Sequence, residues 1–263
     1  MEFGINDKVA LVTGSSRGIG KSIATQLASE GATVVICARN EDELKEAANH
    51  IKIETGQDVL SIRMNLSIRE DIEHLVQCTQ NKFNGIDILV NNTGGPPSLN
   101  FLETNEMNWR EAVNLLLMNV VHLFHLIIPG MKHRKWGRII NMASFSAKQP
   151  IDNLVLSNTI RSGILGLTKS LSNELAEFGV LVNAVCPGWT LTTRVEDLMN
   201  VKAQRTGKHY DDVIGELADT IPLKRLAKPE EIANLVTFLS SEKASYITGN
   251  TIQVDGGYIK SIF

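Results

Sequence analysis

Apolar residues along this 263-residue chain come in short, nearly unbroken runs rich in β-branched side chains. The runs are KVALVTG (8–14), TVVICAR (33–39), VLSIRMN (59–65), DILVNN (87–92), RIINMAS (138–144), VLVNAVCP (180–187) and NTIQVDGG (250–257). Continuous rather than alternating apolar character predicts strands buried on both faces. Helical patterns fill the intervals. KSIATQLASEG closes with Gly31 in a helix-stop position. SIREDIEHLVQCTQNKF opens with Ser67 and Glu70 at capping-box spacing, and GILGLTKSLSNELAEFG ends at Gly179. Strand–helix alternation predicts right-handed βαβ units. The expected fold is a single α/β domain over 1–263, doubly wound, with a seven-stranded parallel sheet and helices on both faces. One stretch, 189–225, mixes polar and apolar residues and reads as a loop–helix insertion over the strand ends, a lid for a substrate. Another, VNLLLMNVVHLFHLIIPG (113–130), is apolar almost throughout. It predicts a helix buried on nearly all sides, partly against a partner subunit, and ended by Pro129. Asn114, Asn119, His122 and His125 interrupt it, which argues against a membrane span.

Composition narrows the function classes. The chain is 43% hydrophobic, enough for one sizeable core, with formal net charge −3. That balance speaks against a nucleic-acid or anionic-membrane surface. The start, MEFGINDKVALV, lacks the basic and long apolar segments of a secretory signal, so the cytoplasm is expected. Cys37, Cys78 and Cys186 are odd in number and far apart, and they read as reduced thiols. His122 and His125 share a helix face but have no third ligand. They read as core or interface histidines, and no metal is expected.

The chemistry begins at TGSSRGIG (13–20), which follows the first strand and opens the first helix. Gly14, Gly18 and Gly20 let the backbone approach a pyrophosphate closely. The helix start offers unpaired N–H groups and a positive dipole end. Ser16, Arg17 and Ile19 complete the turn.

The spacing G-x-x-x-G-x-G resembles that of the short-chain dehydrogenase/reductase superfamily, and the resemblance runs over nearly the whole chain. NNTGG (91–95) is similar to the family's NNAG turn, with Thr93 in place of alanine, and places Asn92 and Gly94. Asn119 matches the asparagine of the family's long helix, and Ser144 the catalytic serine. CPGWTLT supplies Pro187, Gly188 and Thr192, which in the family border the nicotinamide. RLAKPEEIANLVTFLSSEKASYITGNTIQVDGG is similar to the family's C-terminal signature. The resemblance implies a Rossmann sheet in the order 3-2-1-4-5-6-7 and a homotetramer. It is closest to 3-oxoacyl-(acyl-carrier-protein) reductases, in a divergent branch. Asn65, followed by Leu66, stands where the family usually has an aspartate near the adenine. The second strand ends in Ala38 and Arg39 rather than in an acid that would accept from the ribose 2′-OH of NAD. Arg39 and Arg17 suit a 2′-phosphate, so NADP(H) is favoured over NAD(H). The alternative is that both arginines are solvated.

The departure lies at Ser157 and Arg161, where the family carries Y-x-x-x-K. Both residues fall on one helix face. Serine is a poor acid and arginine is effectively never deprotonated, so the usual proton relay is not available. An atypical centre of Ser144, Ser157, Arg161 and Asn119 is expected. There Arg161 and Ser144 would donate to a developing alkoxide while water delivers the proton. Arg161 is expected to meet the cofactor ribose or an anionic ligand; the alternative is a structural pairing with Asp152 or Glu174. Of the three tyrosines, only Tyr210 is placed to fold over the site. Lys148 could enter it as a relocated acid or be solvated, and Trp189 could pack on a substrate or only on the lid. The resemblance implies an NADP(H)-dependent oxidoreductase acting on a small-molecule or acyl carbonyl or hydroxyl compound, anions included. A non-catalytic NADP(H) sensor or partner subunit, and a reductase of an activated C=C bond, remain the alternatives.

Overall fold

Residues 2–262 are described by a computed structural model. Every predicted apolar run contains a strand: β1 Val9–Thr13, β2 Thr33–Ala38, β3 Leu60–Arg63, β4 Ile88–Asn91, β5 Gly137–Met142, β6 Val180–Pro187 and β7 Thr251–Val254. They form one sheet in the order β3-β2-β1-β4-β5-β6-β7, and every pairing is parallel. Burial is complete along β1, β4, β5 and β6. The edge strands depart from the expectation. β3 alternates half-buried and exposed residues, and β7 is half-buried throughout. An edge strand has a neighbour on one side only, and Leu60 and Ile62 turn the buried half of β3 inward.

The helices are α1 Gly18–Ser29, α2 Glu41–Thr55, α3 Arg69–Phe83, α4 Glu106–Val113, α5 Asn119–Arg134, α6 Val155–Leu175, α7 Thr193–Thr206, α8 Tyr210–Thr220 and α9 Pro229–Leu239. Helices α1, α2 and α9 cover one face through Ile23, Leu27, Leu44, Ile51, Ile232 and Val236. Helices α3, α5 and α6 cover the other through Leu75, Leu123, Phe124, Ile127, Ile164 and Leu175. Each such side chain contributes about 1.5–3 kcal/mol on full burial. The two layers therefore hold the sheet rigid beneath whatever its strand ends carry.

Local stop signals behave as expected at Gly31 and Gly179, both left-handed after a helix (φ +85° and +71°). The capping box at Ser67 and Glu70 does not form. Asn65 instead accepts the Ser67 N–H through Oδ1, Asp71 accepts the Asn65 N–H, and α3 begins at Arg69. Pro129 does not end its helix either. A wide turn at Asn114–Met118 joins α4 to α5, and α5 runs through Pro129 to Arg134. Proline removes one N–H from the ladder, but Pro129 and His125 both face outward, where water can take the freed carbonyl. Nor is the helix buried all round. It is long and apolar enough to cross a membrane, yet within the single chain 33% of its apolar window is buried. The buried part is one stripe, Val120, Leu123, Phe124, Ile127 and Met131, which packs on the sheet. His125 is exposed, and His122 lies 3.3 Å from Glu73.

The stretch 189–225 is more ordered than a loop–helix insertion. Helices α7 and α8 pack on each other around a small core of their own, with Met199, Ala203, Val213, Leu217, Ile221 and Leu226. A bridge between Thr190 and Ala227 ties its two ends together.

Candidate active site

The chain order reverses between β1 and β4, and loops diverge there at the carboxyl ends of the strands. Gly14 leaves β1 left-handed, and Gly18 starts α1 the same way. A side chain at position 20 would collide with the carbonyl oxygen of Gly14 and lie 2.7 Å from Asn92 Nδ2. The turn is thus folded tightly on itself. Asn92 clamps it, its Nδ2 donating to the carbonyls of Thr13 (3.2 Å) and Gly14 (2.9 Å). Arg17 stands at the N-cap in extended conformation and provides no side-chain cap. The first amides of α1 therefore remain free at the base of an open cleft. Free amides, a dipole end and backbone without side chains fit a diphosphate.

Two clefts run from this point along the strand ends. The outer one holds about 300 Å³ and is lined by Gly14, Ser16, Arg17, Arg39, Asn65, Leu66 and Gly94. Arg39 makes no ion pair among the described residues. Sequence reasoning missed Glu43 in this wall. It accepts the Ser16 hydroxyl at 3.1 Å and lies 3.9 Å from Arg17 Nη1. Cys37 also lines this wall, its thiol pushed up to about 12 by burial. It is a neutral packing group there.

The inner cleft, about 180 Å³, shares Gly95 with the outer one. It brings Ile19, Asn92, Ser144, Ser157, Arg161, Pro187, Gly188 and Thr192 together. Gly18 and Gly20 shape the turn from behind. Asn119 lines neither cleft, and its Nδ2 is buried without a partner among the described residues. Ser144 follows β5 in extended conformation and accepts the Ser146 N–H at 3.1 Å. Its own proton is left free for the cleft. The Ser157 hydroxyl is paired with that of Ser146 at 3.3 Å.

Arg161 departs from its expected pairings. Neither Asp152 nor Glu174 meets it. Nη1 donates to the carbonyls of Met142 and Ala143, both at 2.9 Å, and Nη2 to that of Gly94 at 3.4 Å. The guanidinium ties the end of β5 to the loop after β4, and most of its fork is spent on main chain. Burial, and then the charge of Arg194, lowers its pKa to about 10. It is still a cation at neutral pH, a fixed positive charge in the floor of the cleft.

Among the described residues, no tyrosine lines either cleft. Tyr210 opens α8 and packs at the edge of the insertion's own core. Its phenol is pushed above the usual value by burial and by Glu196 and Asp211, and it lines neither cleft. It does not fold over the site, because the insertion has a core of its own to fill. Tyr258 lies nearer. Its ring meets Phe145 edge-on at 5.2 Å, and Phe145 meets Trp189 at 5.4 Å. Phe145 and Trp189 line the inner cleft, with Tyr258 behind them. Lys148 does not line it. Arg194, two residues beyond Thr192 on the first turn of α7, does. It lies just past the CPGWTLT motif, whose pattern does not reach it.

Comparison with known proteins places this geometry among reductases. Residues 14–259 match the family described as Enoyl-(Acyl carrier protein) reductase. The 3-oxoacyl-[acyl-carrier-protein] reductase FabG of Aquifex aeolicus is 39% identical over 98% of this chain and 99% of its own. The D-beta-hydroxybutyrate dehydrogenase of Cupriavidus necator is 34% identical over 97% of this chain and 99% of its own. Among solved structures, the L-sorbose reductase of Gluconobacter frateurii, complexed with NADPH and L-sorbose, superposes with TM-score 0.95. It is 36% identical, and all of both chains is covered. YwfH, an NADPH-dependent reductase involved in bacilysin biosynthesis, superposes with TM-score 0.93 at 29% identity, over 98% of this chain and 100% of its own.

Proposed function

The chain belongs to the short-chain dehydrogenase/reductase family, and from that premise we propose that it is an NADP(H)-dependent oxidoreductase interconverting a carbonyl and a hydroxyl through an atypical Ser144–Ser157–Arg161 centre. One observation carries the reading. The free amides of α1 open onto two clefts that meet at Gly95 and end at the Ser144 hydroxyl, which accepts from Ser146 and keeps its own proton to offer. The substrates these relatives are named for differ, yet a 3-oxoacyl chain, a hydroxybutyrate and a sugar share a carbonyl–hydroxyl pair.

Bound NADPH supplies hydride to carbon. The chain's own groups receive the charge left on oxygen. Ser144 donates a hydrogen bond to that oxygen. Arg161, anchored on Met142 and Ala143, sets a positive charge beneath it and still holds Nε–H for donation. Neither residue is an acid at neutral pH, so water gives the proton. General acid help is worth about 10² to 10⁴-fold, and turnover without it is expected to be slow rather than absent. Asn119 contributes at most through water, since it faces neither cleft.

The outer cleft supports NADP(H) over NAD(H). Arg39 is free for a 2′-phosphate, whereas Arg17 is partly engaged by Glu43. Arg39→Ala is expected to weaken NADPH binding about tenfold and to leave NADH binding unchanged, the loss of one charge-assisted contact. Fluorescence titration with both coenzymes checks this. Equal losses would show that Arg39 does not read the phosphate.

The functional test is steady-state NADPH oxidation with ketones, quinones and enones. Turnover of ketones above the rate in free solution is expected. Turnover confined to enones favours reduction of an activated C=C bond, a reading the matched family's description also supports. There carbon is protonated by solvent and no phenol is needed. Tight NADPH binding without any turnover makes the protein a sensor or a partner subunit. We further propose a cytoplasmic homotetramer, assembled over the outward apolar side of α4 and α5, where Met107 and Met118 are exposed.

A further inference from the structure

The wall of the inner cleft carries two guanidinium groups, Arg161 and Arg194, and no acidic side chain. We propose that the substrate is a carboxylate, an oxo or hydroxy acid whose anionic end is held by Arg194 with Arg161 beneath it. This rests on the oxidoreductase reading and names the substrate class of that same centre.

Arg194 is poised rather than neutralised. A single N–H, from Nη2, has a partner among the described residues, the Pro96 carbonyl at 3.0 Å. Asp197, one helical turn on, is the acid whose charge reaches Arg194, and no ion pair forms between them. The fork is also fixed in place. A Cβ at Gly95 would lie 2.6 Å from Arg194 Nη2, 2.8 Å from Cζ and 2.9 Å from Nε. The guanidinium lies against the Gly95 backbone, and any side chain there would displace it. A planar fork held rigid, with donors to spare, suits a carboxylate.

The cost of the arrangement points the same way. Burial and Arg194 both disfavour the Arg161 cation, and no carboxylate among the described residues repays it. Asp255, the nearest acid behind the cleft, spends its oxygens on the N–H groups of Gly257 and Ile259. Two like charges at one cleft are relieved when an anion enters between them. Phe145, Leu154, Trp189 and Leu198 give the wall an apolar part. It suits an acid with a hydrocarbon body. Ser144 stands in the same cleft to receive the carbonyl.

Calorimetry on the NADP⁺-loaded protein tests this without turnover. The probes are acetoacetate against methyl acetoacetate, and benzoylformate against methyl benzoylformate. Each acid is expected to bind at least about tenfold more tightly than its ester, and Arg194→Ala to weaken the acids about 10- to 100-fold, as loss of a charge-assisted fork implies. The esters and NADP⁺ should change less than about twofold, and Arg194→Lys should recover part of the loss, since it keeps the charge without the fork. Equal affinity of acid and ester overturns the proposal, as does failure of both acids to bind. A comparable loss of NADP⁺ affinity in Arg194→Ala also overturns it, because the guanidinium then serves the cofactor diphosphate. Failure of the wild-type protein to bind NADP⁺ or NADPH removes the oxidoreductase reading itself, and this inference with it.

Discussion

Alanine in place of Ser144 is expected to lower kcat about 10² to 10³-fold, the cost of removing one donor to an oxyanion. NADPH binding should be unchanged. The reason lies in how the hydroxyl is held. Ser144 Oγ already accepts the Ser146 N–H, so its own proton has no partner within the chain and the cleft before it. The other groups compensate poorly. Ser157 is tied to Ser146, and Arg161 has given Nη1 to two main-chain carbonyls. The side effect on stability is small, since Ser144 caps a single short turn, a role worth about 1 kcal/mol. Steady-state kinetics beside a coenzyme titration separates the two roles. An unchanged kcat would leave Ser144 as that cap alone and move the oxygen elsewhere.

Gly20→Ala is expected to weaken NADPH binding by at least about 100-fold, because a displacement of about 1 Å in a positioning group already costs that much. The new methyl would press on the Gly14 carbonyl and on Asn92 Nδ2, the atom that holds the turn closed. The first is backbone, and the second is a side-chain tip pinned by its hydrogen bonds to the Thr13 and Gly14 carbonyls. The turn must open, and the amides of α1 shift away from the diphosphate. A Gly56→Ala change is a useful contrast. Gly56 is also left-handed but has nothing within 4 Å of its missing Cβ, so it should cost stability and not affinity. Calorimetric titration and thermal melts of both variants check the pair. Undiminished affinity in Gly20→Ala would mean that the diphosphate lies elsewhere.

The site was only partly legible in the sequence. The glycine turn could be read because strand, turn and helix are contiguous, and their local order dictates the cradle. The residues at 144, 157, 187, 188 and 192 were recovered by resemblance to a family pattern, and the fold does bring them to one cleft. Arg161 does line the cleft, but most of its fork is spent on main chain. Which partner a long side chain chooses depends on carbonyls contributed by β5 and by the loop after β4. Glu43 and Arg194 went unnoticed for the same reason. The capping box at Ser67 was a sound local pattern, but Asn65 and Asp71 offered the backbone a better set of bonds.

Periodicity alone determined the seven strands, the helices between them and the parallel sheet, because continuous apolar runs have no stable home except between two layers. Tertiary structure decided which buried cation is spent on the main chain and which still has donors to offer. That follows from contacts between segments far apart in the chain, where distance and burial, not residue type, set what a charged group can do.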